Sequence, residues 1–567
     1  MIYDYIVVGG GTAGCIMAAR LSEDGRHQVL LIEGGRDTPP DRVEEAILDS
    51  YPRIAYFNER NLWGKLRVHL HPAAIRGDQP PVRYEQGRLM GGNSSLNDMQ
   101  ANRGTPEDYQ EWVDAGAEGW DWDAVLPYYK RLERDMDFKG PLHGDRGPIP
   151  IRRIYPDVWP AFSKAAAAAF GAAGYARLQD QNAEFGDGYF PVAISNLYNR
   201  RVSTAIGYLD NAARSRPNLH ILSHTQALTL ILEGTRVVGV RLRQPDGQES
   251  SVRGREVVVS CGGIYTPALL LKSGIGPRQV LEAAGIPLVV DAQGVGANVQ
   301  EHPTISISGI LPPDKMLPAS LRRHIHVALR YSSGLEQMPA SDMYMVAMMK
   351  AGWHPVGKRI GALMTWINKV YSRGRITVTS ADPYEEPRVE LNLLDDRRDI
   401  ERLKTGFRLI ARLFQHPDLQ GCVSDLFPTS YSERIRDLGQ INFRNKLLTT
   451  LLAFALDHSA PLRRLLTRHA MAEGRPLDSL LNDDGLLEAF VREKTHGVWH
   501  VSCGARMGAA DDPLAVCDPG GRVYGVQGLR LADASVMPTL PRANTALPTM
   551  MVAEKIADAA LREAATA

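Results

Sequence analysis

Cysteine is scarce in this chain of 567 residues: only Cys15, Cys261, Cys422, Cys503 and Cys517 are present, and no two form a C-x-x-C pair. An odd, scattered set of thiols is not a disulfide framework, and it fits the reducing cytoplasm. Neither sign of charge is in excess, since 65 lysines and arginines meet 65 aspartates and glutamates. That leaves no electrostatic footprint for nucleic acid. No uncharged apolar run approaches the length of a membrane span. A secretory leader is not expected either, because Asp4 and a glycine loop arrive too early. Internal repeats, low-complexity linkers and metal-ligand spacings are missing. A chain of this length is too long for one core and is expected to form two or more domains.

What is present begins at the N-terminus. Tyr3 to Val8 is an apolar run rich in β-branched residues and reads as a buried strand. Gly9-Gly10-Gly11-Thr12-Ala13-Gly14 follows at once, then a helical stretch from Cys15 to Leu21, then a second apolar run from Gln28 to Ile32 that ends in Glu33 and Gly34. Strand, G-x-G-x-x-G, helix, strand and acid stand in the order and length of a dinucleotide site. Gly9 would permit the tight turn, Gly11 the approach of a pyrophosphate, and Gly14 the packing of helix on strand. Glu33 suits two ribose hydroxyls and disfavours a 2′-phosphate, which leaves FAD and NAD open.

The rest of the chain reads as interleaved. Residues 84–112 are rich in glycine and polar residues and long for a loop, as expected of a segment that wraps a ligand. Trp159 to Ala173 has helical spacing. Asn218 to Glu233, Thr235 to Arg243 and Arg253 to Ser260 read as an antiparallel meander, and Val257 to Gly263 as a return to the nucleotide domain. Residues 305–400 are strand-like, with a hairpin at Arg375–Ser380 and Arg388–Leu391, and Asp399 to Phe414 is an amphipathic helix. Near the end, His500 sits in a small-residue loop, a strand runs into Asp533-Ala534-Ser535, and Asn544 precedes a helix from about Pro548 to Leu561. A base and a hydrogen-bond donor beside a redox cofactor are what alcohol oxidation requires, because no side chain stores a hydride.

These motifs together resemble the glucose–methanol–choline (GMC) flavoprotein oxidoreductases. Gly87-Arg88-Leu89-Met90-Gly91-Gly92-Asn93-Ser94-Ser95-Leu96-Asn97 resembles the first family signature, Tyr265 to Pro277 the second, and Gly294-Val295-Gly296-Ala297-Asn298-Val299-Gln300-Glu301-His302 the family's GVGxNLxDH. Gly497-Val498-Trp499-His500, Ala543-Asn544-Thr545 and the TWINK stretch at 365–369 are similar to bacterial aryl-alcohol and hydroxymethylfurfural oxidases. The resemblance implies an α/β fold. A Rossmann-like FAD-binding domain (1–155, 205–304, 496–567) would interleave with an α+β substrate domain on an antiparallel sheet (156–204, 305–495). It also implies FAD. Gly9, Gly11, Thr12, Ala13 and Gly14 would hold the pyrophosphate, Glu33 and Gly34 the ribose end, and the Ala227 backbone the adenine. Trp63, Met90, Gly91, Asn93, Asn97, Met99 and Trp499 would line the flavin, with Asp533 and Ala534 at the ribityl chain and Thr545 and Ala546 at the pyrimidine edge. Some relatives attach the flavin through a histidine in the first signature; Leu96 stands there, so non-covalent FAD is expected.

His500 is then the expected base, since removing hydride from a carbinol leaves a proton on oxygen and imidazole titrates near neutrality. Asn544 would orient the substrate oxygen. His496 is expected at the surface, Cys503 in the core, and His302 in a structural role. Cys503-Gly504 departs from the usual Gly-Thr of the family. Trp366, Ile367, Asn368, Lys369, Trp499 and the Met343–Met349 stretch are the expected pocket walls, without a carboxylate or aromatic cage for a cation. They suit a flat primary alcohol, benzylic or furanic, with O2, a quinone or another acceptor taking the electrons. A non-oxidising lyase or photodecarboxylase of the same superfamily is the contrasting reading. The apolar, basic run at 432–471 leaves several readings open. It could be a lid, an oligomer contact, a weak membrane contact through 440–470, or a helix pair buried on the substrate domain.

Overall fold

The computed structural model describes residues 2–429 and 431–566. The strand Ile2–Val8 pairs in parallel with Val29–Ile32 on one side and with the second half of Glu249–Val259 on the other. The helix Thr12–Leu21 makes the crossover, and all but two of its residues are buried. The sheet runs Leu219–Leu222, Val29–Ile32, Ile2–Val8, Glu249–Val259, Arg236–Arg243 and Gln226–Glu233, with Leu529–Leu531 added in parallel to Val257–Val259. The uninterrupted valines at 257–259 suit a strand covered on both faces.

The meander is therefore shorter than the sequence suggested. Asn218–Glu233 is two strands: Leu219–Leu222 joins Val29–Ile32 in parallel, and only Gln226–Glu233 pairs antiparallel with Arg236–Arg243. His224, in the left-handed region at φ 54°, turns the chain between them.

A second, antiparallel sheet runs Ser424–Pro428, Pro303–Ile310, Ile360–Ile367, Met343–Met349, Ile325–Tyr331 and Gly188–Pro191, and His496–Gly497 adds to Pro303–Thr304. Strand alternation divides its residues. Met343, Met345, Ala347, Leu363 and Ile367 join the large core with Leu403, Phe407 and Ile410 of the helix Arg397–Leu413. Tyr344, Val346 and Trp366 face the other way with Phe190 and Met99. Gly406 lets that helix seat closely, since a β-carbon there would lie 2.9 Å from Thr365 Cγ2. The hairpin at Arg375–Thr377 and Arg388–Glu390 forms as expected, and it pairs with Arg67–His69, tying a late segment to an early one.

Charges buried beside this framework balance one another. Arg103 pairs with Glu133 at 2.6 Å, and Arg153 with Asp135 at 2.9 Å and Asp180 at 2.7 Å. His143 reaches Asp135 at 3.2 Å and Asp180 at 2.8 Å. Glu133, Asp135 and His143 lie close enough to hold a metal ion. Burial opposes the His143 charge, but hydrogen bonds to Asp135, Asp180 and Glu133 outweigh it and push the pKa up to about 10. A doubly protonated imidazole has no lone pair for a metal. Because that pKa is raised on folding, the stabilisation is present in full below about pH 6.5 and is lost as pH rises through about 10. Thermal unfolding of His143→Gln against wild type should show a deficit that is largest near pH 6 and shrinks toward pH 10.

Candidate active site

Residues from both sheets wall one continuous cavity of about 530 Å³. Its nucleotide end is built from the glycine loop. Gly9 turns at φ 97°, where a β-carbon would lie 2.6 Å from Ser260 O. At Gly14 the same carbon would strike Gly9 O at 1.8 Å, so helix and strand touch there. At Gly11 it would meet only Ser260 O, at 3.9 Å, and Gly11 lines the cavity. That is the cradle a pyrophosphate needs, with the N-terminus of Thr12–Leu21 behind it. The residues present thus fit a dinucleotide. Glu33 accepts hydrogen bonds from Gly10 N at 2.8 Å and Gly35 N at 2.7 Å, while burial raises its pKa. Asp533 accepts from Gly262 N and Ser535 N, each at 2.8 Å, and from Thr266 Oγ1.

Gly9, Gly11, Thr12, Ala13, Glu33 and Gly34 line the cavity, as do Trp63, Asn93, Asn97, Ala227, Asp533, Ala534, Thr545 and Ala546. At the other end stand Trp366, Trp499, His500 and Asn544. Other expected residues stand behind the wall. Met90 packs under Gly10, Gly91 donates its N–H to Gly10 O at 2.7 Å, and Met99 lies against Asn196. Ile367 faces the core because it alternates with Trp366, and the Asn368 side chain accepts from Trp366 Nε1 at 3.1 Å. Lys369 is held by Glu111 and Leu540 O, away from the pocket. Of the Met343–Met349 stretch only Met348 reaches the wall, joined by Met364 from the neighbouring strand.

The loop that carries His500 is fixed from several sides. Trp499 is left-handed at φ 64°, and its indole donates to Glu85 Oε2 at 2.9 Å. The buried Glu301 carboxylate accepts from His500 N at 2.9 Å, from His302 N at 2.8 Å and from the Tyr84 hydroxyl. Burial raises the Glu301 pKa to about 7 against those hydrogen bonds. Cys503 is buried, and its N–H bonds Ala534 O at 3.0 Å, so the departure from Gly-Thr leaves the loop tied at this point.

The His500 imidazole is bonded at both nitrogens: Asn544 Nδ2 lies 3.2 Å from Nε2, and His302 Nδ1 lies 2.9 Å from Nδ1. With the Asn544 amide in this orientation its nitrogen donates, so His500 Nε2 offers the lone pair and Nδ1 carries the proton toward His302. Burial depresses His500 to about 3 and His302 well below its ordinary value, so both rings are neutral. His302, expected to be structural, thus touches His500 directly. His496, expected at the surface, lines the cavity and stacks on Tyr431 at 5.2 Å. Glu85 and Asp98 also line it, although no carboxylate was expected in the substrate walls; Arg436 pairs with Glu85 at 3.1 Å.

Family models described as GMC oxidoreductase match residues 3–304 and 370–553. The chain belongs to the GMC oxidoreductase family. It is 42% identical to 5-(hydroxymethyl)furfural oxidase of Methylovorus sp. (strain MP688), over 99% of both chains. It is 29% identical to an oxygen-dependent choline dehydrogenase of Photobacterium profundum, covering 99% of this chain and 93% of that one. Among solved structures, pyridoxine 4-oxidase from Mesorbium loti superposes with a TM-score of 0.80 at 26% identity, over 98% of each chain. A fungal aryl-alcohol oxidase shares the fold at 20% identity with a TM-score of 0.76, over 100% of this chain and 99% of that one.

Within this GMC site, Glu301 carries a testable load. Glu301→Gln would turn an amide N–H₂ toward backbone donors. It should cost about 1–3 kcal/mol in denaturant unfolding and slow flavin reduction by alcohol, with FAD content retained.

Proposed function

We propose that this protein is an FAD-dependent oxidase of primary aromatic or furanic alcohols. The observation that carries the reading is the neutral His500, with an unprotonated Nε2 bonded to the Asn544 amide, at one end of a cavity whose other end is a dinucleotide cradle. The relative named 5-(hydroxymethyl)furfural oxidase supports both the substrate class and the use of O2.

Bound FAD would supply the redox chemistry by accepting hydride from the carbinol carbon. Gly9, Gly11, Thr12 and Ala13 would hold its pyrophosphate, with Gly14, expected among them, instead packing helix against strand behind the loop, and Glu33, Gly34 and Ala227 would hold the adenosine end. Trp63, Asn93, Asn97, Asp533, Ala534, Thr545 and Ala546 would flank the remainder, with Met90, Gly91 and Met99 as the layer behind. Leu96, where some relatives carry a linking histidine, supports non-covalent binding. His500 Nε2 takes the hydroxyl proton, and the Asn544 N–H₂ turns from the ring to the substrate oxygen. His302, accepting at Nδ1, keeps the His500 proton on the far nitrogen throughout. Trp366, Trp499, Met348, Met364 and Tyr431 give the slot flat apolar walls that exclude water from the developing alkoxide.

Segments 1–155, 205–304 and 496–567 form the FAD-binding part in this reading, and 156–204 with 305–495 the substrate-binding part. Among the described residues no helix is long and apolar enough to cross a membrane. All five cysteines are free, which supports a cytoplasmic setting.

His500→Ala should retain yellow, non-covalent FAD and lose about 10²- to 10⁴-fold in its rate of anaerobic reduction by benzyl alcohol. Stopped-flow bleaching of the flavin measures this; a wild-type rate in the variant removes His500 as base. Admitting air to the reduced enzyme should give stoichiometric peroxide. A stable reduced flavin that a quinone reoxidises would point to a dehydrogenase, and product without bleaching to a lyase.

A further inference from the structure

The far wall of the substrate slot carries more positive charge than the protein balances. Arg53 lines the cavity, and its Nη2 lies 3.8 Å from Met348 Sδ and only loosely, at 3.9 Å, from Asp98. Behind it are the buried Arg201 and Arg323. Both Nη atoms of Arg323, Nη2 of Arg201 and Nε of Arg53 are buried without a hydrogen-bond partner. Among the described residues, Asp98 is the one carboxylate that faces all three guanidinium groups. His324, 3.3 Å from Asp98, is driven neutral by burial, and the nearby Asp49 is taken by Arg322. Burial lowers Arg323 to about 10 and Arg201 to about 9, while Asp98 and neighbouring tyrosines outweigh burial at Arg53 and hold its pKa above the ordinary value. Uncompensated charge of this kind attracts a counter-ion.

Its position defines which one. Arg53 stacks on Tyr56 at 5.6 Å, Tyr56 meets Trp499 edge-on at 5.7 Å, and Trp499 precedes His500 in the chain. One wall therefore runs from guanidinium to base past two aromatic rings. We propose that Arg53, with Arg323 and Arg201 behind it, forms a subsite for a substrate carboxylate, so that aromatic or furanic alcohols with an acid group opposite the carbinol are preferred. This rests on the alcohol oxidation argued above.

The test compares 4-(hydroxymethyl)benzoate with its neutral amide as reductants of the wild-type holoenzyme and of Arg53→Met. The wild type should show a kcat/KM at least tenfold higher for the acid, and Arg53→Met should bring the ratio near one. Equal values in the wild type, or an unchanged ratio in the variant, overturn the subsite. If neither compound nor benzyl alcohol bleaches the flavin, the alcohol reading itself fails and the subsite with it.

The helix Phe443–His458 and its continuation Ala460–Leu466 are apolar on two faces. Thr449 and Leu452 look into the cavity, and Ala453 and Leu456 pack on Val356. The opposite face leaves Phe443 80%, Leu451 63% and Phe454 64% exposed, with Leu447, Leu462 and Leu465 beside them. Arg444, Lys446, Arg464 and Arg468 are also exposed, while Asp457, the only carboxylate between 441 and 471, is tied to Arg359. An isologous pairing of two copies would press like-charged rims together. An anionic lipid surface instead accepts the apolar face and neutralises the rim. We infer that this face docks on anionic bilayers, without spanning them.

Holoenzyme should float with phosphatidylcholine vesicles containing phosphatidylglycerol, less so at high salt or without the anionic lipid. The Phe443→Ser/Leu451→Ser/Phe454→Ser variant should stay in solution. Absence of wild-type flotation, or equal flotation of the variant, overturns the inference. So does a dimer that forms without lipid and that the variant abolishes.

Discussion

The Glu301 carboxylate is the constraint on which the active end depends. It sits between two paired segments and receives the backbone N–H of His500, that of His302 and the Tyr84 hydroxyl at once. One buried acid thus sets both members of the imidazole pair. Gly497 is glycine for the same reason, since a β-carbon there would come within 2.7 Å of the Glu301 side chain. The left-handed turn at Trp499 is held by Glu85 and by the edges of Tyr56 and Tyr431, which together offset the strain of that backbone conformation.

Polarity elsewhere along the cavity follows from helix ends. Thr12–Leu21 and Ala546–Thr566 both begin at its wall, so two sets of free N–H groups and two positive dipole ends point at one volume. An anionic dinucleotide is favoured there. At the opposite end the slot is aromatic and sulfur-lined, and His500 within it is neutral because burial disfavours a charged ring. A neutral imidazole with a directed lone pair removes a hydroxyl proton without first shedding one of its own.

Much of this was legible in the chain. The strand–glycine–helix–strand unit, the late hairpin, the amphipathic helix near 400 and the closing helix follow from periodicity and turn residues. His500 and Asn544 were legible from residue type and from family resemblance, and the structure brings them to 3.2 Å. What failed had a physical cause. Trp366 and Ile367 are adjacent in sequence but alternate across a strand, so one faces the slot and the other the core. The meander was read one strand too long because both halves of 218–233 are apolar, and only the turn at His224 separates them. His302 was read as structural and His496 as a surface residue; antiparallel pairing of 303–304 with 496–497 turns His496 into the cavity wall, and His302 bonds His500 at 2.9 Å. Glu85 and Asp98 were invisible as pocket residues, because what places them is tertiary pairing with Arg436 and Arg53.

In the proposed reaction His500 acts as a neutral base whose proton is held on Nδ1 by His302, leaving Nε2 unprotonated. Nitrogen-15 NMR of histidine-labelled holoenzyme at neutral pH, with His500 and His302 assigned by single substitution, tests this most directly. A pyridine-type shift is expected for His500 Nε2 and a pyrrole-type shift for Nδ1. The reverse pattern, or the paired shifts of an imidazolium, would contradict it.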